Sequence, residues 1–191
     1  MKSCLFFILP VFILLATGCS SDYTPKPHGY FRIDFPQKKY QLYQSACPYE
    51  FEYPDYSNVE SDQNAGAEPC WINLQFPRFQ ATLHISYKSI NGLSLRRFTE
   101  DSRTLAMKHA SRAEEIDETP FITSQHVYGL KYDIRGNAAS SLQFYLTDST
   151  KHFLRASLYF NVVPAPDSLA PVLAFLNQDI EKFFNSFQWK K

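Results

Sequence analysis

The first nineteen residues, MKSCLFFILPVFILLATGC, constrain everything that follows because they decide the compartment in which the chain folds. Lys2 is followed by an apolar run from Leu5 to Leu15 that is interrupted only by Pro10. A positive start, a short apolar segment and small residues before a cleavage point are the pattern of a secretory signal peptide. The apolar run has about 11 residues, whereas a helix that spans a bilayer needs roughly 20. The sequence therefore predicts that residues 1–18 are a removable leader.

A cysteine directly follows the small residues Ala16, Thr17 and Gly18. This arrangement resembles the lipobox of bacterial lipoproteins, in which the cysteine becomes the first, lipid-modified residue of the mature chain. We therefore expect lipidation of Cys19, with plain secretion and an unmodified thiol as the alternative. Two or three acyl chains hold a protein on a membrane, whereas one chain binds only marginally. Ser20 stands where an aspartate favours inner-membrane retention in enterobacteria, so we expect an outer-membrane location facing the periplasm.

The rest of the chain is expected to be a short tether and one domain. Residues 19–29 are small, polar and punctuated by prolines, which favours an extended lipidated tether. Loss of 18 of the 191 residues leaves 173, which suits a single globular domain at residues 30–191. The chain has 19 basic and 19 acidic residues, and loss of Lys2 leaves 18 against 19. Nucleic-acid binding needs a basic face and is therefore not expected.

Short segments with alternating large apolar and polar residues dominate the first half of the domain. Alternation that stops at prolines or turn residues is typical of half-buried strands. The segments with this pattern are residues 30–35, 49–53, 70–76 and 81–87. Residues 55–69 are rich in Ser, Asn, Asp and Gly, which predicts a surface loop.

Cys47 and Cys70 are the two cysteines that remain once Cys4 is removed with the leader and Cys19 is lipidated. In a compartment that permits disulfides we expect these two to pair. A bond that closes a loop of about 24 residues would stabilise the fold by roughly 3 kcal/mol. A redox pair is the alternative, but the spacing is far from the Cys-x-x-Cys pattern that lowers the pKa of a thiol.

The second half of the domain alternates between helical and strand patterns. The spacing of apolar residues predicts a helix from Leu93 to Ile116, with Ser94 as its N-cap. A second helix is predicted to begin at Ser168, and its Phe-rich apolar stripe is expected to cover a sheet. The strands predicted between the two helices are residues 121–124, 125–134, 141–147 and 153–163.

Strands, helix, strands and helix in this order predict an α+β domain. Short connections favour a mainly antiparallel β-sheet packed by two main helices. The element order is similar to the PsbP and Mog1 type of α-β-α sandwich, a likeness that concerns the fold alone.

Residues with catalytic or metal-binding spacing are not found in the sequence. The five histidines are scattered, and the chain has no Gly-x-Ser-x-Gly, His-Glu-x-x-His or glycine-rich phosphate loop. We therefore expect no enzyme activity, no catalytic residue, no metal and no cofactor.

Tyrosines are concentrated around the strand at residues 49–53, where they alternate with acidic residues. Tyrosine is enriched at protein interfaces, so these side chains are a candidate partner surface; ordinary strand packing is the alternative. The candidate residues are Tyr40, Tyr43, Tyr49, Tyr53 and Tyr56.

Several phrases, in this order and spacing, resemble the gliding motility-associated lipoprotein GldD family of the Bacteroidetes. They are Pro27–Pro36 (PHGYFRIDFP), Cys70–Leu74 (CWINL), His84–Lys88 (HISYK), and Glu100–Arg103 (EDSR) with Lys108-His109.

The resemblance covers nearly the whole mature chain. It implies a non-enzymatic envelope lipoprotein that acts as an accessory component of gliding motility and type IX secretion, with other envelope proteins of that apparatus as its partners. Only Cys19, at the lipidation position, transfers from the family as a site. The alternative function is a periplasmic module that binds a small molecule, a lipid or a glycan.

Overall fold

The structure is a computed structural model that describes residues 32–162 and 166–190, without the side chains of residues 92, 93 and 166. The described residues from Asp34 onward belong to one compact unit. The leader at residues 1–18, the lipidation site Cys19 and the tether at residues 19–29 lie outside the described residues. The first two residues of the predicted strand at 30–35 also lie outside them.

The described chain forms ten strands and two α-helices, with a short 3₁₀ turn at Pro77–Phe79 between the fourth and fifth strands. The elements are β1 (Tyr40–Tyr43), β2 (Tyr49–Pro54), β3 (Asn58–Ser61), β4 (Ile72–Phe76), β5 (Ala81–Ser89), α1 (Gly92–Met107), β6 (Ala113–Ile122), β7 (Tyr128–Gly136), β8 (Ser140–Thr147), β9 (His152–Phe160), α2 (Pro166–Ser186) and β10 (Gln188–Trp189).

Seven of these strands form one sheet in the order β3-β4-β5-β9-β8-β7-β6. Every neighbouring pair is antiparallel, and β5 pairs with β9 over nine residues from Ala81 to Ser89. A smaller sheet has the order β1-β2-β10 and is also antiparallel. The predicted α+β class, with two helices on a mainly antiparallel sheet, is confirmed.

The main core lies between one face of the large sheet and α2 with the small sheet. The side chains of Phe183 and Phe184 on α2, and of Phe187 directly after it, are almost fully buried. The ring of Phe183 lies 5.7 Å from that of Phe144 on β8 and 4.4 Å from that of Phe51 on β2. The apolar stripe predicted for the second helix therefore covers the sheet, as such a stripe does in most globular domains.

The opposite face of the large sheet carries α1. Phe98 on α1 stacks on Phe153 of β9 with 5.6 Å between ring centroids. Ala106, nearer the end of α1, packs with Tyr132 and Ile134 of β7. This second face is more polar than the first, and the candidate site described below lies on it.

The predicted helix at residues 93–116 extends too far at its C-terminal end, and the predicted N-cap, Ser94, is wrong. The helix ends at Met107, and Ala113 begins a strand instead. Its N-cap is Asn91, whose side chain accepts a hydrogen bond from the backbone N–H of Ser94 while the Ser94 hydroxyl accepts one from the backbone N–H of Asn91. Ser94 is therefore the reciprocal partner of the N-cap in a capping box.

Two predictions about strands in the first half of the domain are also wrong. Residues 32–35, the described part of the first predicted strand, do not pair as a strand. The Phe35 ring stacks on Phe175 of α2 instead, with 4.4 Å between centroids. The predicted loop at 55–69 contains β3, a mostly exposed edge strand that pairs with β4.

Within the described residues, neither helix combines the length and the apolar character needed to cross a bilayer.

Candidate functional site

A row of polar side chains crosses the large sheet on the face that carries α1. Residues that stand directly opposite each other on neighbouring strands share a face of the sheet. The row contains one residue from each of the seven strands: Glu60, Asn73, His84, Ser157, Gln143, Tyr132 and Glu118. Alternation within each strand places these residues opposite the apolar core, so helix α1 is laid over a polar layer.

A groove of about 330 Å³ lies between α1 and strands β5 and β9, with Trp71 just before β4 beside it, and is called the α1 groove here. Phe98 and Leu105 of α1 and Phe153 of β9 give it an apolar side. The polar side chains of β5 and β9 that line it are His84, Ser86, Lys88, Arg155 and Ser157. The groove therefore combines an apolar wall with a polar floor, as small-molecule sites commonly do.

Arg155 is the cation of the groove floor. Its Nη2 donates a hydrogen bond to Oε1 of Gln143, which is itself 1% exposed. Burial lowers the pKa of the Arg155 guanidinium below its ordinary value, although Tyr159 and Tyr132 act in the opposite direction. Arginine nonetheless keeps its charge in proteins. Among residues 32–162 and 166–190, no carboxylate forms an ion pair with this guanidinium.

Two further polar groups beside Arg155 are buried without a hydrogen-bond partner in the described chain. They are Nε2 of Gln143 and the hydroxyl of Tyr132. Burial, with Glu118 and Tyr145 adding to it, raises the pKa of Tyr132 to about 12, so the hydroxyl is a neutral donor. An unsatisfied buried polar group costs about 1–3 kcal/mol, so this part of the sheet is built at a cost to stability.

One end of the α1 groove is formed by Trp71, just before β4. The Trp71 indole donates from Nε1 to the carbonyl oxygen of Tyr87 at 2.8 Å, which fixes the ring. Lys88 Nζ lies 5.2 Å from the centroid of this ring and pairs with the carboxylate of Glu68. Asp101, on the helix side, pairs with Arg97 at 3.7 Å and is mostly exposed.

The hydroxyl and imidazole groups of the groove are held by partners other than each other. Ser102 donates to the carbonyl oxygen of Phe98 at 2.8 Å within its own helix. Nδ1 of His84 lies 2.7 Å from Oδ1 of Asn73, and burial lowers the pKa of His84 below its ordinary value. The described residues contain no group of three or more His, Cys, Asp or Glu placed to hold a metal ion. The groove therefore offers binding groups, with no nucleophile and base in contact among the residues that line it.

The five tyrosines predicted as a partner surface do not form one exposed patch. Tyr49 has no exposed surface, because it packs against Phe51 and Phe187 and donates its hydroxyl to the carbonyl oxygen of Cys70 at 2.7 Å. Its inclusion in a partner surface is therefore wrong. Tyr43 and Tyr53 are half-buried on the small sheet.

Tyr40 and Tyr56 belong to a cluster around Asp179 of α2, called the Asp179 cluster here. Asp179 is 2% exposed and accepts hydrogen bonds from the Tyr40 hydroxyl at 3.0 Å and from the Tyr56 hydroxyl. Lys38 Nζ lies 2.7 Å from the same carboxylate and 3.3 Å from the centroid of the Phe175 ring. The cluster ties the segment before β1 to the long C-terminal helix.

A disulfide joins Cys47 and Cys70, with 5.5 Å between their Cα atoms. Cys47 lies just before β2 of the small sheet, and Cys70 lies just before β4 of the large sheet. The bond therefore joins the segments that lead into the two sheets.

Arg155 and Gln143 were not identified from the sequence as site residues. Arg155 stands in a regular alternation with Leu154, Ala156 and Leu158, so the pattern indicated only a partly exposed face of β9. A charged residue flanked by apolar ones in a central strand is the one signal that could have drawn attention to it.

Comparisons with known proteins bear on the family and on the fold. The family model described as gliding motility lipoprotein GldD matches residues 20–189, which confirms the resemblance carried by the four sequence phrases. The solution structure of cyanobacterial PsbP (CyanoP) from Synechocystis sp. PCC 6803 is similar with 16% sequence identity and a TM-score of 0.49. This likeness covers 86% of the present chain and 99% of that one. Among curated proteins, none matches the chain significantly.

Proposed function

Because the chain belongs to the gliding motility lipoprotein GldD family, we propose that it is a non-enzymatic accessory subunit of the gliding and type IX secretion machinery. It is held by lipid on Cys19 at the periplasmic face of the outer membrane and acts through contacts with other envelope proteins. The single observation that carries this proposal is the family match, which begins directly after the cysteine of the lipobox and covers nearly all of the domain.

The length of the tether supports partners at the same membrane. Ten residues between Cys19 and Tyr30 reach about 35 Å at most when fully extended. Phe35 stacks on Phe175 and Lys38 pairs with Asp179, so the described chain is held against the folded unit from Phe35 onward.

The small sheet is the part of the domain that we propose as the partner surface. Strand β1 is an edge strand, and its Leu42 is 48% exposed. Tyr43 of β1 and Tyr53 of the neighbouring β2 are both half-buried. An edge strand with an exposed apolar side chain and half-buried tyrosines beside it suits contact with another protein.

Gene deletion in the native host tests the functional proposal. Colony spreading and the proteins released into the medium are measured in the deletion strain and after complementation with the wild-type gene. We expect the deletion to impair spreading, secretion or both, and the wild-type gene to restore them. A deletion strain that spreads and secretes like its parent would contradict the proposal.

Two variants test the anchor separately. Cys19→Ala should release the protein from membranes and fail to complement. Ser20→Asp tests sorting to the outer membrane, with Ser21→Asp as its matched control one residue further along. Membrane fractionation and mass spectrometry of the mature N-terminus give the readout, and an unmodified, freely soluble wild-type chain would contradict the lipid anchor.

Photo-crosslinking on intact cells tests the partner surface. A crosslinker at Leu42 should capture envelope proteins, whereas one at exposed Arg78, between β4 and β5, should capture fewer. Equal capture at the two positions would argue against the small sheet.

A further inference from the structure

We propose that the α1 groove is a binding site for a small organic carboxylate, whose charged group Arg155 holds and whose apolar part lies on Phe98, Leu105 and Phe153. The inference stands on the geometry of the groove and does not depend on the functional proposal above.

The guanidinium of Arg155 is partly buried and forms no ion pair with a carboxylate of the described residues. A partly buried cation without an opposite charge is unfavourable, and proteins usually place a carboxylate beside it. Here the described chain supplies only the neutral carbonyl oxygen of Gln143, which takes one of the five N–H donors. The guanidinium fork matches a carboxylate in geometry and can donate two parallel hydrogen bonds to it.

Further polar groups lie behind and around the guanidinium. Nε2 of Gln143 and the hydroxyl of Tyr132 are buried and unpartnered, and Gln143 is the residue that contacts Arg155. Ser157 stands directly opposite Gln143 and lines the groove. Gln143 and Tyr132 lie behind the groove floor, and Arg155 and Ser157 are the donors that face a ligand.

The other charges around the groove select the kind of anion. Asp62 and Asp101 line the groove as well, and they would oppose a doubly charged phosphate. Lys88 is paired with Glu68, and burial holds the pKa of His84 below its ordinary value, so neither adds a free positive charge at neutral pH. A single cation with two carboxylates nearby favours a singly charged ligand.

The volume sets the size of the ligand. The α1 groove measures about 330 Å³, at the lower end of the roughly 300–1,000 Å³ that small-molecule sites span. The space suits a compact ligand with one ring or a short chain beside the carboxylate. Phe98 and Phe153, stacked at 5.6 Å, form the apolar surface against which that part packs.

Titration calorimetry on the full-length lipoprotein in detergent micelles tests the proposal. The probes are acetate, butyrate, 3-phenylpropionate and L-phenylalanine, with the neutral 3-phenylpropanamide and inorganic phosphate as comparisons. We expect 3-phenylpropionate to bind saturably and the amide to bind about tenfold more weakly or worse, because it lacks the charge-assisted pair. Equal binding of acid and amide would indicate partition into micelles and would overturn the proposal, as would tighter binding of phosphate than of any carboxylate.

Two variants locate the binding. Arg155→Gln should weaken the carboxylates about tenfold or more while exposed Arg78→Gln leaves them unchanged. Leu105→Glu keeps Arg155 in place on a helix position that is 37% exposed, and its added charge should weaken the acids more than the amide. Thermal unfolding of each variant checks that it folds. If both folded variants bind every carboxylate as the wild type does, or if the wild type binds none, the proposal is wrong.

Discussion

At the scale of single residues, the most consequential side chain of the described domain is Asp179. Its carboxylate is buried and accepts from two tyrosine hydroxyls and from Lys38, which is itself 20% exposed. Removing one partner of a buried ion pair leaves the other charge uncompensated, whereas a solvated pair contributes little. Loss of one member of the cluster should therefore destabilise the fold, because the remaining charge would be left without its partner.

Asp179→Asn should lower the free energy of unfolding by roughly 2–4 kcal/mol, because Lys38 loses its counter-charge in a partly buried position. Glu181→Gln, an exposed carboxyl two positions later in α2, is the matched control and should change stability by less than about 0.5 kcal/mol. Denaturant unfolding followed by circular dichroism measures both. Equal effects of the two changes would mean that the cluster is not coupled to the fold.

The raised pKa values of Tyr40 and Tyr56 predict a loss of stability in alkali. Burial, together with the charge of Asp179, raises the pKa of Tyr40 to about 12 from an ordinary 10.0, and burial raises that of Tyr56 above its ordinary value as well. The folded protein favours the neutral hydroxyls. Their contribution to the free energy of unfolding is therefore complete below pH 10 and declines as the pH rises from 10 towards 12. Stability should therefore fall across this pH window. The tyrosinate absorbance of the folded protein should appear at a higher pH than that of the urea-unfolded protein. Simultaneous ionisation in the folded and unfolded chains would contradict the prediction.

At the scale of secondary-structure elements, the start of α1 depends on Asn91. Asn91→Ala should destabilise the protein by about 1 kcal/mol because the N–H of Ser94 loses its acceptor. Asn91→Asp keeps an acceptor and adds a favourable charge at the helix N-terminus, so it should retain wild-type stability. Thermal unfolding compares the two, and equal losses would show that the side chain acts in some way other than capping.

The disulfide is the second feature at this scale. Reduction, or the double change Cys47→Ser and Cys70→Ser, should lower the free energy of unfolding by roughly 3 kcal/mol, because the unfolded chain gains freedom. The double variant controls for the reductant itself, since added reductant should leave it unchanged. A wild-type chain with no loss on reduction, or with free thiols when isolated from the envelope, would contradict a structural bridge.

The elements that the sequence predicted well are those with one strongly apolar face. Strand β4 is buried at every second residue, and the buried residues of α2 recur at helical spacing, so the periodicity of both is clear. Strand β3 was missed because it is polar and mostly exposed at a sheet edge. The sequence predicts the first residues of β6 as the end of a helix because Ala113 and Ile116, three residues apart, fit a helical face equally well.

At the scale of the whole molecule, the sequence predicted the class of fold but not the site. Alternation along a strand shows which residues share a face, and this was enough for a sheet covered by helices. The α1 groove depends on residues from separate parts of the chain, such as Trp71, Phe98 and Arg155, which come together only through strand order. That order, with β5 beside β9, is set by contacts between distant segments and leaves no pattern in the local sequence.

The Asp179 cluster has a mechanical consequence for a protein attached at one end. A pull on an anchor at the amino terminus would reach Lys38 before it reached the four residues of β1. Lys38 passes that load to Asp179 on the longest helix, whose neighbours fill the main core. Such a pull would therefore move the whole domain and would not separate β1 from the small sheet.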